Sequence, residues 1–211
     1  MALKLWEGEK VRLRAVRPDD VDLFQRYADD SELDRLAGET EYPYSAERER
    51  RRLEKELDED KDDDDRMLVI ETLGGKFAGT IQLYGTDRRH RTAEMGLVLD
   101  NRKAWGKGYG SEALRLLLRF AFRELGYEKV NLQVYEFNTR AITLYEHLGF
   151  QHEARLRSQI YADGRRWDEI WMGMTRADYE AQHPRWFPDA APIAAHHHDT
   201  APLPPLFVED A

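Results

Sequence analysis

Glycines at positions 106, 108 and 110 stand between an apolar, strand-like stretch and a helix-like one, and this joint constrains the chain more than any other feature. The stretch before it is Ala93-Glu94-Met95-Gly96-Leu97-Val98-Leu99. After it, Ala113, Leu114, Leu117, Leu118, Ala121 and Phe122 recur at helical spacing and make one continuous apolar face. Glycine accepts positive φ and carries no Cβ, so successive N–H groups and the positive end of the following helix can converge on an anion. The spacing is not that of the dinucleotide fingerprint G-x-G-x-x-G, and the G-K-[ST] ending of a nucleoside-triphosphate loop is missing. A glycine triplet alone fits an ordinary loop equally well, so the neighbouring sequence has to decide.

Downstream, Lys129-Val130-Asn131-Leu132-Gln133-Val134 alternates as a strand does, and Asn138-Thr139-Arg140-Ala141-Ile142-Thr143-Leu144-Tyr145-Glu146-His147-Leu148-Gly149-Phe150 follows it. Together with the glycine loop, these segments resemble the GNAT superfamily of acyl-CoA-dependent N-acyltransferases, in the branch of ribosomal-protein alanine and spermidine acetyltransferases. The loop is similar to that family's pyrophosphate loop, and N-x-x-A-x-x-x-Y-x-x-x-G-F to its second signature, in the family's order and spacing. The resemblance covers roughly residues 9 to 180. Trp105 departs from the family pattern [QR]-x-x-G-x-[GA], whose first position is commonly Gln or Arg. Because backbone N–H groups do that loop's work, Trp105 is expected to pack against the helix.

The expected fold is α/β: a mixed, mostly antiparallel sheet of about seven strands flanked by helices. The resemblance adds a splayed parallel pair formed by the fourth and fifth strands. Residues 10–15 alternate as a first strand, and Pro18 opens a helix running to about position 29. Ser45 is a plausible N-cap for a helix through position 57. Strands are expected at 67–72 and 76–83, joined by Gly74-Gly75. A helix over 111–125, a strand over 129–134 and a helix over 139–148 come next. Strands at 154–161 and 166–174, joined by Asp163-Gly164, close the order. Residues 1–182 form the expected catalytic domain. Residues 183–211, with Pro184, Pro188, Pro192, Pro202, Pro204 and Pro205, form a tail that is either poorly ordered or a docking segment, leaving a homodimer open.

The 211 residues include no cysteine, which excludes disulfides, a cysteine nucleophile and thiolate metal sites. Neither an export signal nor an apolar run of membrane-spanning length is present, so a cytoplasmic protein with no membrane partner is expected. A net charge of −9 argues against a general nucleic-acid surface and favours a cationic acceptor or simple solubility. Glu54, Glu56, Asp58, Glu59, Asp60 and Asp62 through Asp65 concentrate the acid in one run. It reads either as a solvated helix end or as an edge attracting polycations. His196-His197-His198 reads as a polar tail segment rather than a metal site, and no metal is expected.

The resemblance implies transfer of an acetyl group from acetyl-CoA to an amine: a polyamine, an aminoglycoside, an amino acid or a peptide N-terminus. Tyr145, at the signature position, is the candidate donor of a proton to the departing thiolate, and Glu94 on the fourth strand is the candidate base, with removal by solvent as its alternative. Leu97, Val98 and Leu99 are expected to offer unpaired strand groups to pantetheine. Gly106, Lys107, Gly108, Tyr109, Gly110 and Ser111 are expected at the pyrophosphate, and Asn138 at the cofactor while capping its helix. Over the acceptor, Tyr42, Tyr161 and Trp167 are the candidate walls, with Leu33, Tyr44 and Trp171 nearby; aromatic faces hold ammonium groups or stack on rings. Two other classes stand beside this reading: a catalytically silent acyl-CoA sensor and a nucleotide-binding module using the loop alone.

Overall fold

The structure, a computed structural model, describes residues 4–27, 30–38, 45–56 and 64–183. Tyr42, Tyr44, positions 58–63 of the acidic run and the tail from position 184, with its histidines, lie outside the described residues.

Strand β1 (Val11–Ala15) leads through a tight turn at Pro18–Asp20 into α1 (Val21–Tyr27), α2 (Ser31–Ala37) and α3 (Ala46–Glu56). Then come β2 (Arg66–Thr72), β3 (Phe77–Asp87), β4 (Thr92–Val98), α4 (Tyr109–Arg119), β5 (Lys129–Tyr135) and α5 (Thr139–His147). A long hairpin of β6 (Gln151–Ala162) and β7 (Arg165–Thr175) precedes α6 (Arg176–Gln182). The seven strands form one sheet in the order β1-β2-β3-β4-β5-β7-β6. Every neighbouring pair is antiparallel except β4 and β5, which the α4 crossover makes parallel.

Strand alternation sorts the side chains to two faces. Ala93 and Met95 of β4, Val130, Leu132 and Val134 of β5, and Ile170, Met172 and Met174 of β7 are buried with Ala113, Leu114 and Leu117 of α4 in the larger core. Val21 and Phe24 of α1 and Leu53 of α3 close over Val69 and Phe77 as a smaller cluster. Helix α4 passes at Phe120–Glu124 into a wider π-helical turn, which completes the helix expected through position 125.

Two helices escape the pattern read from sequence. The stretch expected as one helix from Pro18 to position 29 is a tight turn followed by α1, and a separate α2 follows. Asp30 caps α2 by accepting from the Leu33 N–H at 3.2 Å, and Gly38, at φ 81°, ends it. Helix α6 begins with a reciprocal capping box between Thr175 and Asp178. The end of the acidic run is structural: Asp65 accepts from the N–H groups of Gly85 and Thr86, and Asp64 from the Tyr127 hydroxyl.

An ion network fixes the β1 edge. The Arg14 guanidinium donates twice to Asp20, at 2.8 Å each, and to Glu71 at 2.9 Å, while Arg12 donates to the other Glu71 oxygen. Burial opposes ionisation of Asp20 and Glu71, but the arginines hold both carboxyls below their ordinary range. Their stabilising contribution is therefore complete above the unfolded carboxylate pKa of about 4 and is lost as pH falls toward the depressed folded values. Arg14→Met leaves the buried Asp20 carboxylate without its cation and Glu71 with Arg12 alone, and is expected to lower stability by about 3 kcal/mol. Urea melts at neutral pH and at about pH 3 check this: the gap between parent and variant should narrow in acid, because protonation relieves the orphaned charges.

Candidate active site

Strand β4 pairs with β5 at Thr92↔Lys129, Ala93↔Val130 and Glu94↔Asn131, and there the pairing stops. On its other side β4 stays paired with β3 as far as Thr80↔Val98, and β5 stays paired with β7 as far as Tyr135↔Glu169. Each strand is held from outside while the inner edges part. From Met95 onward the inner edge of β4 has no strand partner, so backbone groups there can accept an extended ligand in place of a strand.

A cavity of about 390 Å³ opens along this edge from the glycine loop to Tyr145. Gly106 and Gly108 take φ of 72° and 80°, a left-handed conformation that any other residue would adopt under strain. A Cβ on Gly110 would come within 3.2 Å of Leu97 and 3.4 Å of Leu99, so glycine lets the helix start close against the strand end. Leu97, Val98, Leu99, Gly106, Gly108, Tyr109, Gly110, Ser111 and Asn138 all line the cavity, whereas Lys107 is exposed outside it. An extended chain ending in phosphates fits this arrangement: a narrow, largely apolar slot for the chain and a glycine-lined helix start for the anion.

Trp105 accounts for the departure at the head of the loop. Its indole N–H donates to the Leu99 carbonyl at 2.7 Å, and the Arg102 and Arg140 guanidiniums lie 5.4 and 4.6 Å from its ring centroid. It bolts the loop to the end of β4, rather than merely packing on the helix. The Leu99 carbonyl thus already accepts one hydrogen bond, while Leu99 itself lines the slot. Arg102 also donates to Asp30 and Glu32, and Asn138 caps α5 through the Ala141 N–H while its amide donates to the Leu36 carbonyl. These bonds tether α2, whose Leu36 and Ala37 line the slot.

A second cavity, about 260 Å³, lies across the split, and Leu97, Val98, Asn138, Ala141 and Tyr145 line both. Tyr145 is 6% exposed and packs edge-on to Phe150. Burial, with Tyr84 adding to it, pushes its hydroxyl up to about 12, so the hydroxyl stays protonated across the physiological range and is available as a donor. The second cavity is the more polar, with Asp34, Asp100, Arg52, Gln82, Tyr84 and Gln133 in its wall.

Glu94 is half-buried and faces away from the Ala93–Met95 core, as its alternation implied, but it does not line this cavity itself. It stands behind two residues that do. Gln133 donates to it at 3.0 Å, and the Tyr84 hydroxyl, pushed up to about 12 by burial and by Glu94, bonds to it as well. Glu169, 7% exposed, also acts on Tyr84 and accepts from the Trp171 indole at 3.2 Å. Tyr84, Gln133 and Glu169 were not singled out in the sequence, because only the register of β3, β4, β5 and β7 collects them on one face. The acceptor candidates fare differently. Tyr161 is 66% exposed on the β6–β7 hairpin, and Trp167 packs between Phe137 and Arg165 with its indole N–H on the Ala162 carbonyl; neither lines either of these two cavities. Among the described residues, no group of three His, Asp or Glu is placed to hold a metal ion, and no helix is long and apolar enough to cross a membrane.

Comparison with known proteins places this geometry. Residues 10–151 match the acetyltransferase (GNAT) domain family. The chain is 36% identical to the SPbeta prophage-derived uncharacterized N-acetyltransferase YokL of Bacillus subtilis, over 87% of this chain and 99% of that one. It is 31% identical to the spermidine N(1)-acetyltransferase of Escherichia coli K12, over 56% of this chain and 63% of that one. In fold it is similar to the Vibrio cholerae spermidine N-acetyltransferase solved with CoA and spermine, at a TM-score of 0.72 and 24% identity, covering 82% of this chain and 99% of that one. The chain belongs to the GNAT family of N-acetyltransferases, which use acetyl-CoA.

Gly108→Val places a β-branched residue at φ 80° beside the Lys10 ammonium, on an exposed part of the loop. Affinity for CoA should fall at least about tenfold, while the melting temperature drops by only a few degrees. Calorimetric titration with CoA alongside a thermal melt checks both; undiminished affinity would remove the loop from the cofactor site.

Proposed function

We propose that the chain transfers an acetyl group from acetyl-CoA to a primary amine by direct attack, with the cofactor in the 390 Å³ slot and the amine in the 260 Å³ cavity across the split. The observation that carries this reading is the meeting of the two cavities at Tyr145. The bound cofactor supplies an activated acetyl thioester. Gly106, Gly108, Gly110 and Ser111 would hold its phosphates through backbone N–H groups, and the open edge from Leu97 would orient its pantetheine. The Tyr145 hydroxyl donates a proton toward the departing sulfur, and the chemistry leaves one proton to remove from the amine nitrogen. Tyr84 and Gln133, in the cavity wall, both bond to Glu94, which receives the proton through the Tyr84 hydroxyl or through water, with Gln133 orienting the carboxylate.

The acceptor we favour is a polyamine. Asp34 and Asp100 in the cavity wall, with Glu94 and Glu169 behind Tyr84, supply negative charge to a multiply charged amine, and relatives are named for spermidine. Thiol release from acetyl-CoA, measured against polyamines, aminoglycosides, amino acids and peptides with free N-termini, tests the reading. Turnover is expected with amines and greatest with polyamines. CoA binding without turnover on any of them would favour a silent sensor.

Two substitutions separate the proton donor from the base. Tyr145→Phe should lower kcat by about 100-fold or more with acetyl-CoA affinity little changed, because only the hydroxyl is lost. Stopped-flow turnover and CoA titration on the same variant check the split. Glu94→Gln should depress the rate most at low pH, where few amines are already neutral, and less as pH nears the amine pKa of about 10. A loss of the same factor at every pH would give Glu94 a binding role instead.

A further inference from the structure

Lys10 stands at the edge of the glycine loop, outside both cavities, and nothing in the chemistry above uses it. Its ammonium donates to the Lys107 carbonyl at 3.2 Å and lies 3.0 Å from where a Cβ on Gly108 would sit. The backbone carrying it is held unusually firmly for a strand entry. The Glu112 carboxylate, on the first turns of α4, accepts from the N–H groups of Glu9, Lys10 and Val11 at 2.9, 2.7 and 2.7 Å. Glu112 in turn donates its own N–H to the Gly108 carbonyl at 3.1 Å. Lys10, the loop and the start of α4 therefore form one closed set of bonds.

The consequence follows from peptide geometry. The bond between Lys107 and Gly108 is trans, so its C=O and N–H point in opposite directions. Gly108 lines the cofactor slot, while Lys10 and Lys107 do not. Holding the Lys107 carbonyl on the outer side turns the Gly108 N–H inward. The peptide is flanked by Lys107 and by Gly108, whose φ of 80° only glycine adopts without strain and which as glycine can equally take other values, so the Lys10 bond is what selects one orientation of this peptide. A flipped peptide would aim a carbonyl oxygen at the phosphates instead of a donor.

We propose that Lys10 is a positioning residue for the phosphate-binding loop: it fixes the Lys107–Gly108 peptide so that the Gly108 N–H faces the cofactor's phosphates, with Glu112 anchoring Lys10 in place. This rests on the acetyl-CoA reading of the slot. It differs from simple attraction between a lysine and a phosphate, because the ammonium acts through a carbonyl and stays outside the slot.

The test compares the parent, Lys10→Met and Lys10→Arg. CoA affinity by titration calorimetry should fall about tenfold in Lys10→Met and return to within about threefold of the parent in Lys10→Arg, which keeps a charged donor. The Lys10→Met penalty should persist at about 0.5 M salt, where attraction between exposed charges is screened. In turnover the same variant should raise the KM for acetyl-CoA with kcat retained, and leave the KM for S-acetyl-pantetheine, which has no phosphates, unchanged. Unaltered CoA affinity, a penalty that vanishes in salt, or an equal loss toward S-acetyl-pantetheine would each overturn the proposal. A parent that binds no CoA would instead overturn the cofactor reading, and the proposal with it.

Discussion

The site depends on one broken ladder, the parallel pairing of β4 with β5 that ends at Glu94↔Asn131. A parallel pair inside a continuous sheet would bury its edge groups against each other. Here the outer partners win: β3 holds β4 and β7 holds β5 several residues past the last shared pair. The divergence leaves one open edge where a ligand's amides can replace a strand, and it puts Tyr145 at the apex, between a slot for a long chain and a pocket for a small polar one. A further Glu–Asn-type pairing step would narrow both spaces at once.

Keeping the gap open takes specific bonds, because unpaired strand ends would otherwise relax toward each other or toward the loop. Trp105 ties the Leu99 carbonyl to the head of the glycine loop, and Arg102 and Arg140 cover its ring. Asn138 divides its amide between the α5 cap and the Leu36 carbonyl, so the helix that carries Tyr145 is bonded to the helix that roofs the slot. The glycine loop accepts two left-handed residues, and the surrounding bonds from Lys10, Glu112 and Trp105 hold it in shape. The departure from the family's usual Gln or Arg at position 105 thus has a structural answer, an indole donor to the strand end.

Local features were legible in the sequence because their causes are local. The glycine loop with its helix, the Asn138 cap and the hairpin turn at Asp163-Gly164 each depend on residues a few positions apart. Helix α2 was missed because seven residues between Asp30 and Gly38 give little periodicity, and its tether, Arg102, lies 72 positions away. Tyr84, Gln133 and Glu169 come from three strands, and their sharing one face at the second cavity is a matter of register that alternation within one strand cannot reveal. The aromatic candidates of the last hairpin stand apart from the two cavities. Trp167 and Tyr161 are the residue types an amine site favours, but the hairpin directs them to Phe137, Arg165 and Arg166 rather than into the cavity.

The most direct test of the broken-ladder account is a crystal structure of the chain with CoA bound. The account requires the pantetheine to lie along the β4 edge beyond Glu94, with its amides paired to that strand, its phosphates on the Gly106–Ser111 backbone, and its sulfur within hydrogen-bond reach of the Tyr145 hydroxyl. Pantetheine lying elsewhere, or sulfur remote from Tyr145 with the β4 edge left bare, would contradict it.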